Sequence, residues 1–136
     1  MIKKPTLAGA MTPFPHAVDV ESSVVEASAL MHHHRVHHLP VTDGESIVGI
    51  ITAGDIARRA IKPASVRAYH TADPYVVELT TPLDEVLLRM AERQIGCAIV
   101  TRHGKLAGIF TYIDVCRTFA VHLRACYPEP PEDAVA

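Results

Sequence analysis

The chain has 136 residues, 49% of them hydrophobic and 21% charged, a globular balance that excludes a disordered chain and suits one compact domain or two small repeated ones. A formal charge of −2, with no basic stripe and no Trp, speaks against a nucleic-acid surface. The three Cys are odd in number and lack C-x-x-C spacing, no signal-peptide core follows Met1-Ile2-Lys3-Lys4-Pro5, and no run of about eighteen apolar residues occurs; a cytoplasmic protein without a disulfide framework, zinc knuckle or membrane span is expected.

In chain order, an extended stretch over 16–20 leads into an amphipathic helix with Ser22 and Ser23 as cap candidates and Val24, Ala27 and Met31 on its apolar stripe. Two short strands follow, 38–42 and 47–51, around a turn at Asp43-Gly44. A second helix starts near Thr52 and stops before Pro63. The same order then returns. An extended stretch over 75–79 precedes a helix that Thr81 is expected to cap, with Pro82 at its first position, Asp84 completing a capping box, and Leu83, Val86, Leu87 and Met90 at helical spacing. Strands over 97–101 and 106–110 flank His103-Gly104, and a last helix runs from near Thr111 to before Pro128.

A shift of 59 residues aligns 11–58 with 70–117 without a gap and matches 12 of 48 positions, among them Thr12/Thr71, Pro15/Pro74, Gly49/Gly108, Thr52/Thr111, Asp55/Asp114 and Arg58/Arg117. The fold class is therefore α/β (α+β): two tandem β-α-β-β-α repeats packed sheet to sheet, since one such unit leaves an apolar sheet face uncovered. The expected divisions are repeat 1 at 5–62, repeat 2 at 63–124 and a loose acidic, Pro-rich tail at 125–136, with a short linker at 61–65.

Both repeats carry Gly-x-x-Thr-x-x-Asp at a strand-to-helix junction: Gly49, Thr52 and Asp55, then Gly108, Thr111 and Asp114. Thr-x-x-Asp is close to a helix capping box. The same geometry suits a nucleotide. A helix N-terminus offers N–H groups and a positive dipole end to phosphate, a Thr hydroxyl can donate to a phosphate oxygen, and a carboxylate one turn along can accept from a ribose diol. The Gly would leave room for ligand to approach the strand. The two readings are compatible. Arg58 and Arg117 follow the aspartates by three residues, either within reach of a phosphate or as solvated helix arginines.

With His38-Leu39-Pro40-Val41-Thr42-Asp43, Ile47-Val48-Gly49-Ile50-Ile51-Thr52 and Asp55-Ile56, and the second copy Ala98-Ile99-Val100-Thr101, Leu106-Ala107-Gly108-Ile109-Phe110-Thr111 and Asp114-Val115, the chain resembles a tandem pair of cystathionine-β-synthase (CBS) domains, a Bateman module, over residues 5–124. That resemblance implies two clefts between the units that take an adenosine-containing regulatory ligand: AMP, ADP, ATP, NAD or S-adenosylmethionine. It implies ribose contacts from Asp55 and Asp114 and phosphate contacts from Thr52, Thr111, Arg58 and Arg117. The base would lie near Ala17, Val18, His37 and His38 in one site, and near Val76, Val77, Gly96 and Cys97 in the other. It also implies a homodimer, and a regulated protein that is a separate chain. Pro40 and His38 become Ile99 and Cys97 in the second copy, so the clefts need not be equivalent. Replacing Asp55 and Asp114 together is expected to abolish binding and leave the fold intact.

Five of the nine His lie within 32–38, a density that can hold zinc, copper or nickel. His32, His33 and His34 also suit the last turn of a helix, where imidazolium favours the dipole. His37 and His38 would point to opposite faces of a strand. The second repeat has no such cluster. Cys97 reads as a small buried apolar residue. No nucleophile triad or carboxylate pair stands out, so no catalytic residue, metal site or enzyme activity is expected. The chain is expected to be a stand-alone regulatory module that binds an adenosine-containing ligand, with no nucleic-acid or membrane partner. The alternatives are a ligand-free dimerisation or protein-interaction module, and a metal sensor built on the histidines.

Overall fold

Short apolar runs bounded by turn residues become strands here, and segments with apolar residues at i, i+3 and i+7 become helices. In the computed structural model, which describes residues 3–14, 16–59 and 65–132, the first copy comprises α1 (Leu7–Ala10), β1 (Thr12–Pro13), β2 (Val18–Asp19), α2 (Val24–His34), β3 (His38–Asp43), β4 (Ser46–Thr52) and α3 (Ala53–Arg59). The second copy repeats them as α4 (Val66–Tyr69), β5 (Thr71–Ala72), β6 (Val76–Glu78), α5 (Leu83–Arg93), β7 (Cys97–Arg102), β8 (Lys105–Thr111) and α6 (Tyr112–Cys126). The β-α-β-β-α order is present twice. Each copy opens, ahead of that order, with a four-residue helix and a two-residue strand that no periodic signal announced.

The strands form two four-stranded sheets, ordered β2-β3-β4-β5 and β1-β8-β7-β6. The leading strand of each copy thus joins the other copy's hairpin. Thr12 and Pro13 pair antiparallel with Ile109 and Gly108, and Thr71 and Ala72 pair antiparallel with Ile50 and Gly49. Accordingly, the compact units are Phe14–Val76, and Met1–Pro13 with Val77–Ala136, so they cut across the sequence repeats.

In the Phe14–Val76 unit, Ser23 caps α2 by accepting from the Glu26 N–H at 3.1 Å. The helix buries Val24, Ala27 and Met31 and ends at Arg35 in the left-handed region, φ 55°. Val18, Leu39, Val41, Ile51 and Val66 complete its core. The other unit buries the equivalent stripe Leu83, Val86 and Met90 with Ala98, Ile99, Val100 and Phe110. Its helix start differs from expectation. Thr81 does not cap α5 and Asp84 closes no box: Pro82 is the cap residue, and its carbonyl accepts from Val86 N–H at 3.3 Å. Pro82 itself is extended, at ψ 135°, so the helix begins one residue later than a Thr81 cap would start it.

The first hairpin turns through Gly44-Glu45, one residue beyond the expected Asp43-Gly44, with Gly44 at φ +61°. The second turns through His103-Gly104 with both φ positive, as a type I′ turn requires. Helix α6 continues through Cys126, so the first two residues of the 125–136 segment are helical. Pro15, residues 61–64 of the linker with Pro63, and 133–136 lie outside the described residues. No described helix is long and apolar enough to cross a membrane.

Candidate functional site: two strand-to-helix junctions

Each antiparallel hairpin ends by delivering a threonine to a helix start. The register sets Thr52 opposite His38 and Thr111 opposite Cys97. The capping boxes form in both places. Asp55 accepts from Thr52 N–H at 3.0 Å while Thr52 Oγ1 accepts from Asp55 N–H at 3.0 Å. Asp114 accepts from Thr111 N–H at 2.9 Å. The N–H of each first helical residue is also spent: Ala53 donates to the His37 carbonyl at 2.9 Å, and Tyr112 to the Gly96 carbonyl at 3.2 Å. Of the donors expected to face a phosphate, the Gly54 N–H is used by neither bond of its turn. The Thr52 hydroxyl accepts its bond and keeps its proton to donate.

The two aspartates, equivalent in sequence, differ in surroundings. Asp55 keeps 15% of its side chain exposed and takes one further bond, from Arg58 Nη2 at 2.9 Å. That leaves lone pairs on both oxygens. Asp114 is 2% exposed. One of its oxygens accepts from Thr12 Oγ1 at 2.8 Å and from Arg117 Nη1 at 3.2 Å, and the other faces the Thr111 backbone and hydroxyl. Its acceptor capacity is filled by the protein. Asp114 is therefore bound into the fold by the protein's own donors. Thr12 was not among the expected site residues. It is the 59-residue counterpart of Thr71, which is exposed.

Both arginines fold back on the carboxylate one turn earlier, so neither is a free helix arginine. The glycines serve the sheet: a Cβ on Gly49 would sit 2.3 Å from the His70 ring and 2.5 Å from the Thr71 carbonyl, and one on Gly108 2.5 Å from the Thr12 carbonyl. At Gly96 the Tyr112 ring covers the backbone, 2.8 Å from where a Cβ would stand; the equivalent helix position in the other unit is only Ala53.

Among the expected base contacts, Val18 and Val77 are core residues. Ala17, His38, Gly96 and Cys97 are half-buried, and His37 and Val76 are exposed. The Phe14–Val76 unit brings His37, His38, Thr52, Asp55 and Arg58 together; the other unit gathers Gly96, Cys97, Thr111, Asp114 and Arg117. Burial pushes the His38 imidazole below its ordinary value, His37 adds to the effect and the Asp55 charge opposes it. Burial, aided by the Asp114 charge, pushes the Cys97 thiol up to about 12, which keeps it protonated and unreactive at neutral pH.

The histidines divide among different contacts. His32, His33 and His34 end α2, and His34 stacks on His16 with ring centroids 4.4 Å apart while Phe14 meets it edge-on at 5.3 Å. Among the described residues, no group of three or more His, Cys, Asp or Glu is placed to hold a metal ion.

Known proteins share this arrangement. The chain is 37% identical over 113 residues to an uncharacterised protein of Bacillus subtilis, YlbB, covering 78% of this chain and 76% of that one. It is 31% identical over 100 residues to L-aspartate semialdehyde sulfurtransferase of Methanocaldococcus jannaschii, covering 71% of this chain but spanning only 20% of that enzyme. Among solved structures, an uncharacterised conserved protein from Pyrococcus horikoshii is 34% identical with a TM-score of 0.74, over 88% of this chain and 95% of that one. The CBS domain pair of protein MJ0100, in complex with 5′-methylthioadenosine and S-adenosyl-L-methionine, is 26% identical with a TM-score of 0.75, over 85% and 99%. The CBS domain family model matches residues 7–62 and again 66–121, so the chain belongs to the CBS-domain family as a tandem pair.

Proposed function

We propose that the chain is a regulatory module whose ligand is an adenosine-containing small molecule, bound first at the Thr52–Asp55 junction. The observation that carries this reading is the partly exposed carboxylate of Asp55, with unused lone pairs one turn after the Thr52 hydroxyl and next in sequence to the Gly54 N–H. Asp55 accepts from the ribose diol, Thr52 donates to the 5′ substituent, and Arg58, already tethered at the rim, meets a phosphate where the ligand carries one. His37, His38, Ala17 and Val18 supply the edge for the base. The Asp114 junction is the weaker site, because Thr12, Arg117 and the Tyr112 ring must yield before a ligand enters. The adenosine compounds named with the MJ0100 pair support the ligand class. A homodimer that signals to a separate protein completes the reading; Phe119 and Val121 on α6 are apolar and exposed, as a surface between copies requires.

The test is calorimetric titration and thermal shift with AMP, ADP, ATP, NAD and S-adenosylmethionine. A ligand at about a hundred times its Kd adds roughly 2.7 kcal/mol, a shift of several degrees for a chain this size. Asp55→Asn is expected to abolish that shift for the bound compound. Undiminished affinity in Asp55→Asn would remove Asp55 from the site, and a flat response to the whole panel would favour a ligand-free interaction module.

A further inference from the structure

Inside the Phe14–Val76 unit, the residues just before β2 meet the last turn of α2 through their rings. His16 stacks on His34 with centroids 4.4 Å and planes 25° apart. Phe14, which is buried, stands edge-on to both, at 5.2 Å from His16 and 5.3 Å from His34, and His33 meets His34 edge-on at 4.8 Å. Three imidazoles from two separate segments thus share one cluster. Such a stack tolerates one proton and resists a second, because one imidazolium can rest on a neutral ring while two repel at this distance. Burial, then the charges of His16 and His33, lower the His34 pKa below its ordinary value, and no carboxylate is among the charges that shift it. The negative end of α2 pulls the other way. The acids nearest in sequence are engaged elsewhere: Asp19 accepts from Glu21 N–H at 2.8 Å, and Glu21 from Arg67 Nε at 2.9 Å. Glu26 lies two turns back along α2, and Arg35, after His34, is basic.

Both segments run on into the proposed base edge. Ala17 and Val18 follow His16, and His37 and His38 lie three and four residues after His34. We propose that His16 and His34 form a proton-sensitive latch: the stack holds the two segments together at neutral pH, and protonation of both rings in acid parts them and loosens the edge that receives the base. The latch belongs to the protein without ligand. Its effect on affinity rests on the reading at Asp55.

Amide hydrogen exchange over residues 16–20 of the whole, ligand-free chain reads the latch directly. Corrected for the chemical rate, protection is expected to fall about tenfold or more from about pH 7.5 to about pH 5.5. His16→Phe keeps a ring and removes the charge, so it should abolish that fall. His16→Ala removes the ring and should leave the segment poorly protected at both pH values. His16 is exposed, so neither variant disturbs the core. The His34 imidazole, followed by nuclear magnetic resonance, should titrate below the ordinary histidine value in the wild type and higher in His16→Phe. A lowered folded pKa gives stability that is present above the ordinary histidine value and is lost as pH falls through the His34 pKa, so the melting temperature of His16→Phe should fall less steeply in acid. Equal protection at both pH values in the wild type, or the same acid fall in His16→Phe, would overturn the latch. AMP and S-adenosylmethionine are the probes for the site. Affinity for the one that binds should drop about tenfold over the same pH step in the wild type, and less in His16→Phe. A segment that opens while affinity stays constant would overturn the gating. Undiminished affinity in Asp55→Asn, with the acid fall in protection intact, would sink the reading at Asp55 and leave the latch standing.

Discussion

Asp114 and Asp55 occupy matching places in a repeated motif and do different work. Asp114 gathers Thr12, Thr111 and Arg117 around a carboxylate that is 2% exposed. Asp114→Ala leaves those donors unpaired, and a loss of about 3 kcal/mol is expected. Asp55→Ala removes one half of a capping box at a partly open site and should cost about 1 kcal/mol. Urea denaturation of the two single variants checks the ordering, and equal midpoints would show that the Thr12 bond is worth nothing. The capping box was legible in the sequence because its partners are three residues apart. The closure of Asp114 was not, because its decisive partner, Thr12, is 102 residues away. Tyr112 over Gly96 was hidden for a related reason: spacing says which residue starts a helix, not where its ring falls.

At the scale of elements, the strands and long helices followed from apolar spacing and turn residues, and α2 and α5 bury the stripes that their sequence spacing predicts. The four-residue helices α1 and α4 and the two-residue strands β1 and β5 are too short to show a period. Their one signal was the extension of the 59-residue shift upstream, where Thr6 and Ser65 both stand as cap residues. These small pieces explain the repeated glycine. β1 and β5 run so close to β8 and β4 that a Cβ at Gly108 or Gly49 would strike backbone at 2.5 Å. Gly108→Ala and Gly49→Ala are each expected to cost about 2 kcal/mol, read as a lowered melting temperature, by forcing an edge strand away. Gly96→Ala meets only the ring of Tyr112, which is 54% exposed and free to swing, and should stay within about 0.5 kcal/mol of wild type. A reversed order among these variants would show that the close approach of the edge strands does not set the cost.

For the whole molecule, the repeat boundary and the compact units are different divisions. The 59-residue shift tells how often the pattern occurs. It does not tell which copy's edge accepts a leading strand, since two-residue strands carry no alternation to fix a partner. A fragment spanning 14–76 contains all of β2, β3, β4 and β5, and keeps Val66 buried with its N–H on the Ser22 carbonyl at 2.8 Å. A fragment spanning 5–62, cut at the repeat, loses both α4 and β5. The first is expected to melt cooperatively by circular dichroism and the second at a lower temperature or without a transition; the same melt for both would mean that the exchanged segment adds no stability. The exchange also separates the order of synthesis from the order of folding. The β2-β3-β4-β5 sheet has all its strands once residue 76 is made. Thr12, however, waits for Ile109, a delay of roughly 5–20 s at ordinary rates of chain growth. In that interval Leu7 and the β1 edge have no sheet to join, so a segment made before the β2-β3-β4-β5 sheet reaches its native place after it.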